Sequence, residues 1–106
     1  MAKSPANKLT NAKKKEYRSI GHNLNPVIIV SENGVSQGVI DETDRALNDH
    51  ELIKVKFNVN DRDARAELIN EICEATGAEL IQTIGKIALI LRFAKERNER
   101  LSNLLR

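Results

Sequence analysis

Stretches of this chain in which apolar residues recur at helical spacing alternate with short apolar runs that read as strands. Thr10 can cap a helix running to about His22, with sparse apolar contacts from Leu9, Ala12, Tyr17 and Ile20, and Leu24 just beyond. Gly21, Asn23 and Pro26 end it. Val27–Val30 is continuously apolar and rich in β-branched residues, which predicts a buried strand. Ser31-Glu32-Asn33-Gly34 follows as a tight turn, and Ser36 is placed to cap a second helix. Val39, Thr43, Ala46 and Leu47 form that helix's inner stripe, and Asp41, Glu42, Asp44 and Asp49 make its outer face acidic.

Glu51–Val59 alternates. Ile53, Val55, Phe57 and Val59 point one way and Leu52, Lys54, Lys56 and Asn58 the other, predicting a strand covered on one face only. Asn60 is placed to cap a third helix, with Asp61 and Asp63 in its first turn, where the helix dipole favours carboxylates. Leu68, Ile69, Ile72, Cys73 and Thr76 line its inner side, and Gly77 ends it. Ala78–Ile84 and Lys86–Phe93 read as a hairpin joined at Gly85. Ala94–Arg106 carries Leu101, Leu104 and Leu105 on one side of a charged segment, predicting a C-terminal helix or tail. The order α-β-α-β-α-β-β, plus a short C-terminal helix, predicts a single-domain α/β sandwich. Its helices lie mainly on one face of a four-stranded mixed sheet.

Length supports one domain with a modest core, since the chain has 106 residues. Residues 1–8 are expected to be a disordered leader, 9–93 the folded domain and 94–106 a basic helix or tail. No apolar run approaches membrane-spanning length, and the polar opening lacks the apolar stretch of a signal peptide. The single cysteine, Cys73, excludes an internal disulfide and a cysteine-cluster metal site, so a reducing cytoplasm is expected.

Charge is more informative. The net charge of +2 conceals a basic–acidic–basic order. Residues 1–22 hold six Lys/Arg against one Glu, residues 23–85 five basic against twelve acidic, and residues 86–106 six basic against two acidic. If the two ends meet in space they make one positive surface, whereas two solvated ends would account for the same pattern. Lys13, Lys14, Lys15 and Arg18 form a compact cluster leading through Asn23–Pro26 to the Ser31–Gly34 turn. An ordinary solvated helix face would look alike, but a basic helix feeding a helix N-terminus favours an anion such as a nucleic-acid phosphate. Lys54 and Lys56 share a strand face about 7 Å apart, and Lys86 and Arg92 on the last strand are candidates to join them.

With Tyr17, Phe57 and Phe93 as its three aromatics, the chain offers no aromatic platform for bases, so phosphate and shape recognition is expected. His22 can contact a phosphate or cap the first helix, and the cap is the default; His50 is expected to be structural. Cys73 reads as a small buried hydrophobe. Gly85-Lys86 lacks the flanking residues of a phosphate-binding P-loop. No constellation suggests an active site, metal or cofactor, so the expectation is a binding protein without enzymatic activity.

In order, Leu9-Thr10, Gly21-His22-Asn23-Leu24-Asn25-Pro26-Val27, Asn33-Gly34-Val35-Ser36, Glu51-Leu52-Ile53-Lys54-Val55-Lys56, Thr76-Gly77-Ala78-Glu79-Leu80-Ile81-Gln82 and Ile84-Gly85-Lys86 with Arg92 resemble the CRM domain, specifically its stand-alone bacterial YhbY-type proteins. The resemblance spans about Leu9 to Phe93. It implies an RNA-binding domain similar in fold to the C-terminal domain of translation initiation factor three. It also implies association, through rRNA, with precursors of the large ribosomal subunit and a role in assembly. A monomer is expected. In the family a Gly-x-x-Gly loop, usually with a lysine, approaches RNA backbone. Here Ser31 stands at the first glycine, Glu32 at the lysine, and Asn33 and Gly34 complete the loop. Asn25 and Leu91 also depart from the lysine and tyrosine common there. The implied RNA contacts are Lys13, Lys14, Lys15, Arg18, His22, Ser31, Asn33, Gly34, Lys54, Lys56, Lys86 and Arg92. The substituted loop and the acidic second helix motivate an alternative, a protein-interaction module of the same fold with weakened RNA binding.

Overall fold

A computed structural model describes residues 10–105; the leader expected over residues 1–8, Leu9 and Arg106 fall outside the described residues. Helix α1 (Asn11–Gly21) starts at Thr10, whose hydroxyl accepts from the Lys13 N–H at 3.1 Å. It leads into strand β1 (Pro26–Val30), helix α2 (Gln37–His50), strand β2 (Leu52–Phe57), helix α3 (Arg62–Thr76) and the hairpin β3 (Glu79–Ile84) and β4 (Ile87–Leu91). Ser36 caps α2 through the Val39 N–H, as its position predicts. Gly77 ends α3 at φ 74°, a left-handed conformation that a side chain would strain.

The sheet order is β1-β2-β4-β3. β1 runs parallel to β2, and β4 lies antiparallel between β2 and β3. The connections β1-α2-β2 and β2-α3-β3 both step the same way across the sheet. Right-handed crossovers therefore put α2 and α3 on one face. There Ile28, Val30, Leu47, Ile53, Val55, Phe57, Ile69, Ile72, Ala88 and Ile90 form the main core.

The opposite face carries a second, smaller core. Tyr17, Ile20 and Leu24, from α1 and the turn after it, pack with Leu52, Ile81, Leu89, Leu91 and Leu104. Leu52 is fully buried. This corrects the expectation that β2 is covered on one face only: alternation shows which residues share a face, not whether another element lies over it. Gly21 shows how closely α1 approaches, since a Cβ there would lie 2.5 Å from Leu89 Cδ2. Burial of apolar side chains such as Tyr17 and Leu52 stabilises this seat by about 1.5–3 kcal/mol apiece.

β1 is not the buried strand that its apolar run predicts: Ile28 and Val30 face the core, whereas Val27 and Ile29 are exposed, because nothing among the described residues packs over that side of an edge strand. Two local expectations also change. Asp61, not Asn60, caps α3, accepting from the Asp63 N–H at 3.2 Å. The Asn60 side-chain oxygen instead accepts from Lys86 Nζ at 2.6 Å. The chain does end in a short helix, but it is the three-residue 3-10 turn Asn103–Leu105, and residues 94–102 are a non-helical strap. The strap is pinned by polar side chains. Asn98 Oδ1 accepts from the Arg100 and Leu101 N–H groups, and the Asn103 amide donates to the Leu52 carbonyl at 2.6 Å. His50 Nδ1 lies 2.9 Å from the Leu101 carbonyl, a structural role as expected.

Candidate nucleic-acid interface

The α1 side of the sheet divides into a covered end and an open end. At the covered end Leu52 pairs with Leu91, and Leu91 with Glu79, beneath Tyr17 and Leu104. The next row, Lys54, Leu89 and Gln82, borders the C-terminal end of α1. His22 follows that helix, and with Lys54, Gln82, Ile84, Ile87 and Leu89 it lines a small recess. The last row, Ile29, Lys56, Ile87 and Ile84, crosses all four strands in continuous register. No helix among the described residues covers it: Ile29 is 61% and Ile84 65% exposed. Ser31–Gly34 follows β1 at this same end of the sheet.

The structure brings His22, at the cap of α1, beside Lys54, with Lys56 in the next row; Lys13, Lys14, Lys15 and Arg18 lie further back along the same helix. Among these described cations, Lys13 pairs with a carboxylate, Glu16 at 3.5 Å on the exposed helix surface. Such a pair is weak and leaves the cluster's field largely intact. Every strand residue facing this side at the open end is apolar, amide-bearing or cationic; the strand carboxylate, Glu79, lies at the covered end.

Lys86 and Arg92 do not join Lys54 and Lys56. Even-numbered residues of β4 face α2 and α3, as Ala88 and Ile90 show, so these flanking cations are directed to the other side. Lys86 bonds Asn60 at the start of α3. The Arg92 guanidinium donates to Asp44 Oδ1 at 2.7 Å, the Asp44 carbonyl at 3.0 Å, Asn48 Oδ1 at 2.9 Å and the Thr76 carbonyl at 2.6 Å. It clamps α2 to the end of α3. Strand parity carried this signal, because Arg92 is even with Ala88 and Ile90, whereas the Lys54/Lys56 face is that of Leu89 and Leu91.

The Ser31–Gly34 turn closes with the Gly34 N–H donating to the Ser31 carbonyl at 3.0 Å, with Gly34 at φ 93°. The Ser31 hydroxyl accepts from the Asn33 N–H at 3.3 Å, which satisfies a backbone donor that would otherwise face an incoming anion. Glu32 is exposed beside it. The turn is well formed and electrostatically poor for phosphate.

Sequence reasoning missed Glu51. It is fully buried, with φ 63°, and its carboxylate accepts from the Ala94 N–H, Arg97 Nε and the Ser102 hydroxyl, each at 2.7 Å. Burial alone would raise its pKa. The bonds from Ser102, Ala94 and Arg97, with the Arg97 charge, outweigh burial and hold it below the usual carboxylate range. This is the anchor of the C-terminal strap. Among the described residues no group of three His, Cys, Asp or Glu is arranged to hold a metal ion, and no helix is long and apolar enough to cross a membrane.

The family model for the CRS1 / YhbY (CRM) domain matches residues 9–92. A Pseudomonas aeruginosa relative that carries the name "probable RNA-binding protein" is 51% identical over 98 residues, covering 92% of this chain and 94% of its own. A Haemophilus influenzae protein named "RNA-binding protein" is 41% identical over 88 residues, covering 83% of this chain and 89% of its own. The solution structure of a hypothetical Staphylococcus aureus protein superposes with a TM-score of 0.74 at 37% identity, covering 87% of this chain and 96% of that one.

Proposed function

The chain belongs to the CRS1 / YhbY (CRM) domain family, and from that premise we propose that it is an RNA-binding protein that associates with large-subunit ribosomal precursors through rRNA and assists their assembly. The observation that carries the RNA reading is that α1, with Lys13, Lys14, Lys15 and Arg18, ends at His22 in a recess shared with Lys54, beside the row of Lys56. Relatives from two bacteria named for RNA binding support it. The ribosomal part rests on the family resemblance. Binding works through phosphate neutralisation: each cation brought against the backbone displaces condensed counterions, which gives affinity with little sequence readout. Lys13, Lys14, Lys15, Arg18, Lys54 and Lys56 carry it, with His22 at their junction. The protein acts as a monomer in the cytoplasm and as a binder, not an enzyme.

Sucrose-gradient fractionation of cell extract at low and high salt tests this. Salt-sensitive co-migration with large-subunit precursors is expected. A position at the top of the gradient under both conditions refutes it. One observation favours a second reading, a protein-interaction module: Asp41 and Glu42 stand exposed on α2, and Glu32 extends the negative surface toward the loop. That reading predicts protein partners that survive RNase treatment of a pull-down.

A further inference from the structure

The open sheet row calls for an occupant. Ile29 and Ile84 flank it at 61% and 65% exposure, Ile87 lies between them partly exposed, and Lys56 stands within the row with Lys54 in the next. Exposed isoleucines on three of the four strands, with Lys56 among them on the fourth, mark an interaction site. We propose that this face binds an unpaired segment of RNA, with bases lying against Ile29, Ile87 and Ile84 and the backbone held by Lys54 and Lys56. The inference rests on the RNA-binding reading and names its substrate class, single-stranded over duplex.

Three features point there. Charge is complementary, since the open face carries lysines and no strand carboxylate. The two lysines are about 7 Å apart along β2, a separation suited to successive phosphates of an extended strand. The aliphatic row has use for unpaired bases only: a duplex keeps its bases stacked inside and presents sugar and phosphate, which gain nothing from isoleucine. A second copy of the chain fits poorly. In a two-fold contact the face meets itself, and no strand residue at the open end supplies a carboxylate to offset Lys54 and Lys56. Without aromatic rings the base contacts are tolerant of sequence, as stacking platforms are.

The test uses the full chain with three RNA probes of equal length: an unstructured oligonucleotide, the same oligonucleotide with consecutive abasic sites, and a hairpin duplex. Wild type should bind the unstructured probe about tenfold more tightly than the abasic one. The Ile29→Ser/Ile84→Ser double variant should lose about tenfold on the unstructured probe, and change less than about twofold on the abasic and hairpin probes. Both side chains are exposed, so the variant should keep its circular dichroism melt; the abasic comparison on wild type stands regardless of how the variant folds. Equal binding of abasic and intact probes, or an unchanged double variant, overturns the inference while the RNA reading stands. So does a sedimentation shift showing that the substitutions break a dimer instead. Failure of wild type to bind any of the three probes overturns both.

Discussion

Replacing Arg92 should damage the fold and only secondarily RNA binding. Its guanidinium makes four hydrogen bonds to α2 and to the end of α3, and one acceptor, the Thr76 carbonyl, belongs to a residue only 6% exposed. Hydrogen bonds to charged groups contribute about 1.5–3 kcal/mol when buried. Here the Arg92 and Asp44 side chains are 23% and 41% exposed, so Asp44 and Asn48 regain water when the guanidinium is removed. The Thr76 carbonyl does not. Arg92→Ala should therefore cost about 2–3 kcal/mol, and Arg92→Lys about 1–2, because one ammonium cannot span acceptors on two helices. For a domain of this size the alanine variant should melt about 10 °C lower. Urea unfolding followed by circular dichroism measures the difference, read from the midpoint at unchanged slope. A stability change within about 0.5 kcal/mol accompanied by a tenfold loss of RNA affinity would refute the clamp and return Arg92 to the RNA surface.

Other perturbations probe other joints. Gly21→Ala forces Leu89 to move and should cost about 1–3 kcal/mol, with weaker RNA binding as α1 lifts from the sheet; thermal melting and a filter-binding assay read both. Glu51 has a depressed folded-state pKa, so its contribution to stability is fully present above the unfolded value near about 4.3 and is lost as pH falls through the folded value. Glu51→Gln should lose about 1–3 kcal/mol at neutral pH and flatten the acid limb of the stability profile, which urea titrations from pH 7 to pH 3 would show. Ser31→Gly with Glu32→Lys should raise RNA affinity several-fold, by removing a repelling charge and freeing backbone approach. Unchanged affinity in a fluorescence-anisotropy titration would take the loop out of the interface.

Element order was legible because patterning and caps agreed, as Thr10, Ser36 and Gly77 show. What escaped depended on contacts distant in sequence. Leu52 reads as a strand residue facing solvent beside Lys54 and Lys56, and the docking of α1 and of Leu104 buries it. The face of Arg92 could be read from strand parity, but not its partners, since Asp44, Asn48 and Thr76 converge on it from two helices. Glu51 gave no warning, because a glutamate between a helix and a strand is ordinary, whereas its burial requires residues 94–102 to fold back. The helix that carries the α1 cluster was legible in full, from Thr10 to its end at Gly21. The open Ile29–Ile84 row was not, since exposure depends on where α1 stops.

If α1 and β2 bind RNA through its phosphates, as proposed, the salt dependence of affinity for structured rRNA must change when the α1 cations are removed, comparing wild type with Lys13→Ala/Lys14→Ala/Arg18→Ala. The variant should bind at least about tenfold more weakly at low salt, and the slope of log affinity against log salt should shrink by about 2, since three phosphate contacts are lost. An identical slope and affinity for both proteins would contradict the claim.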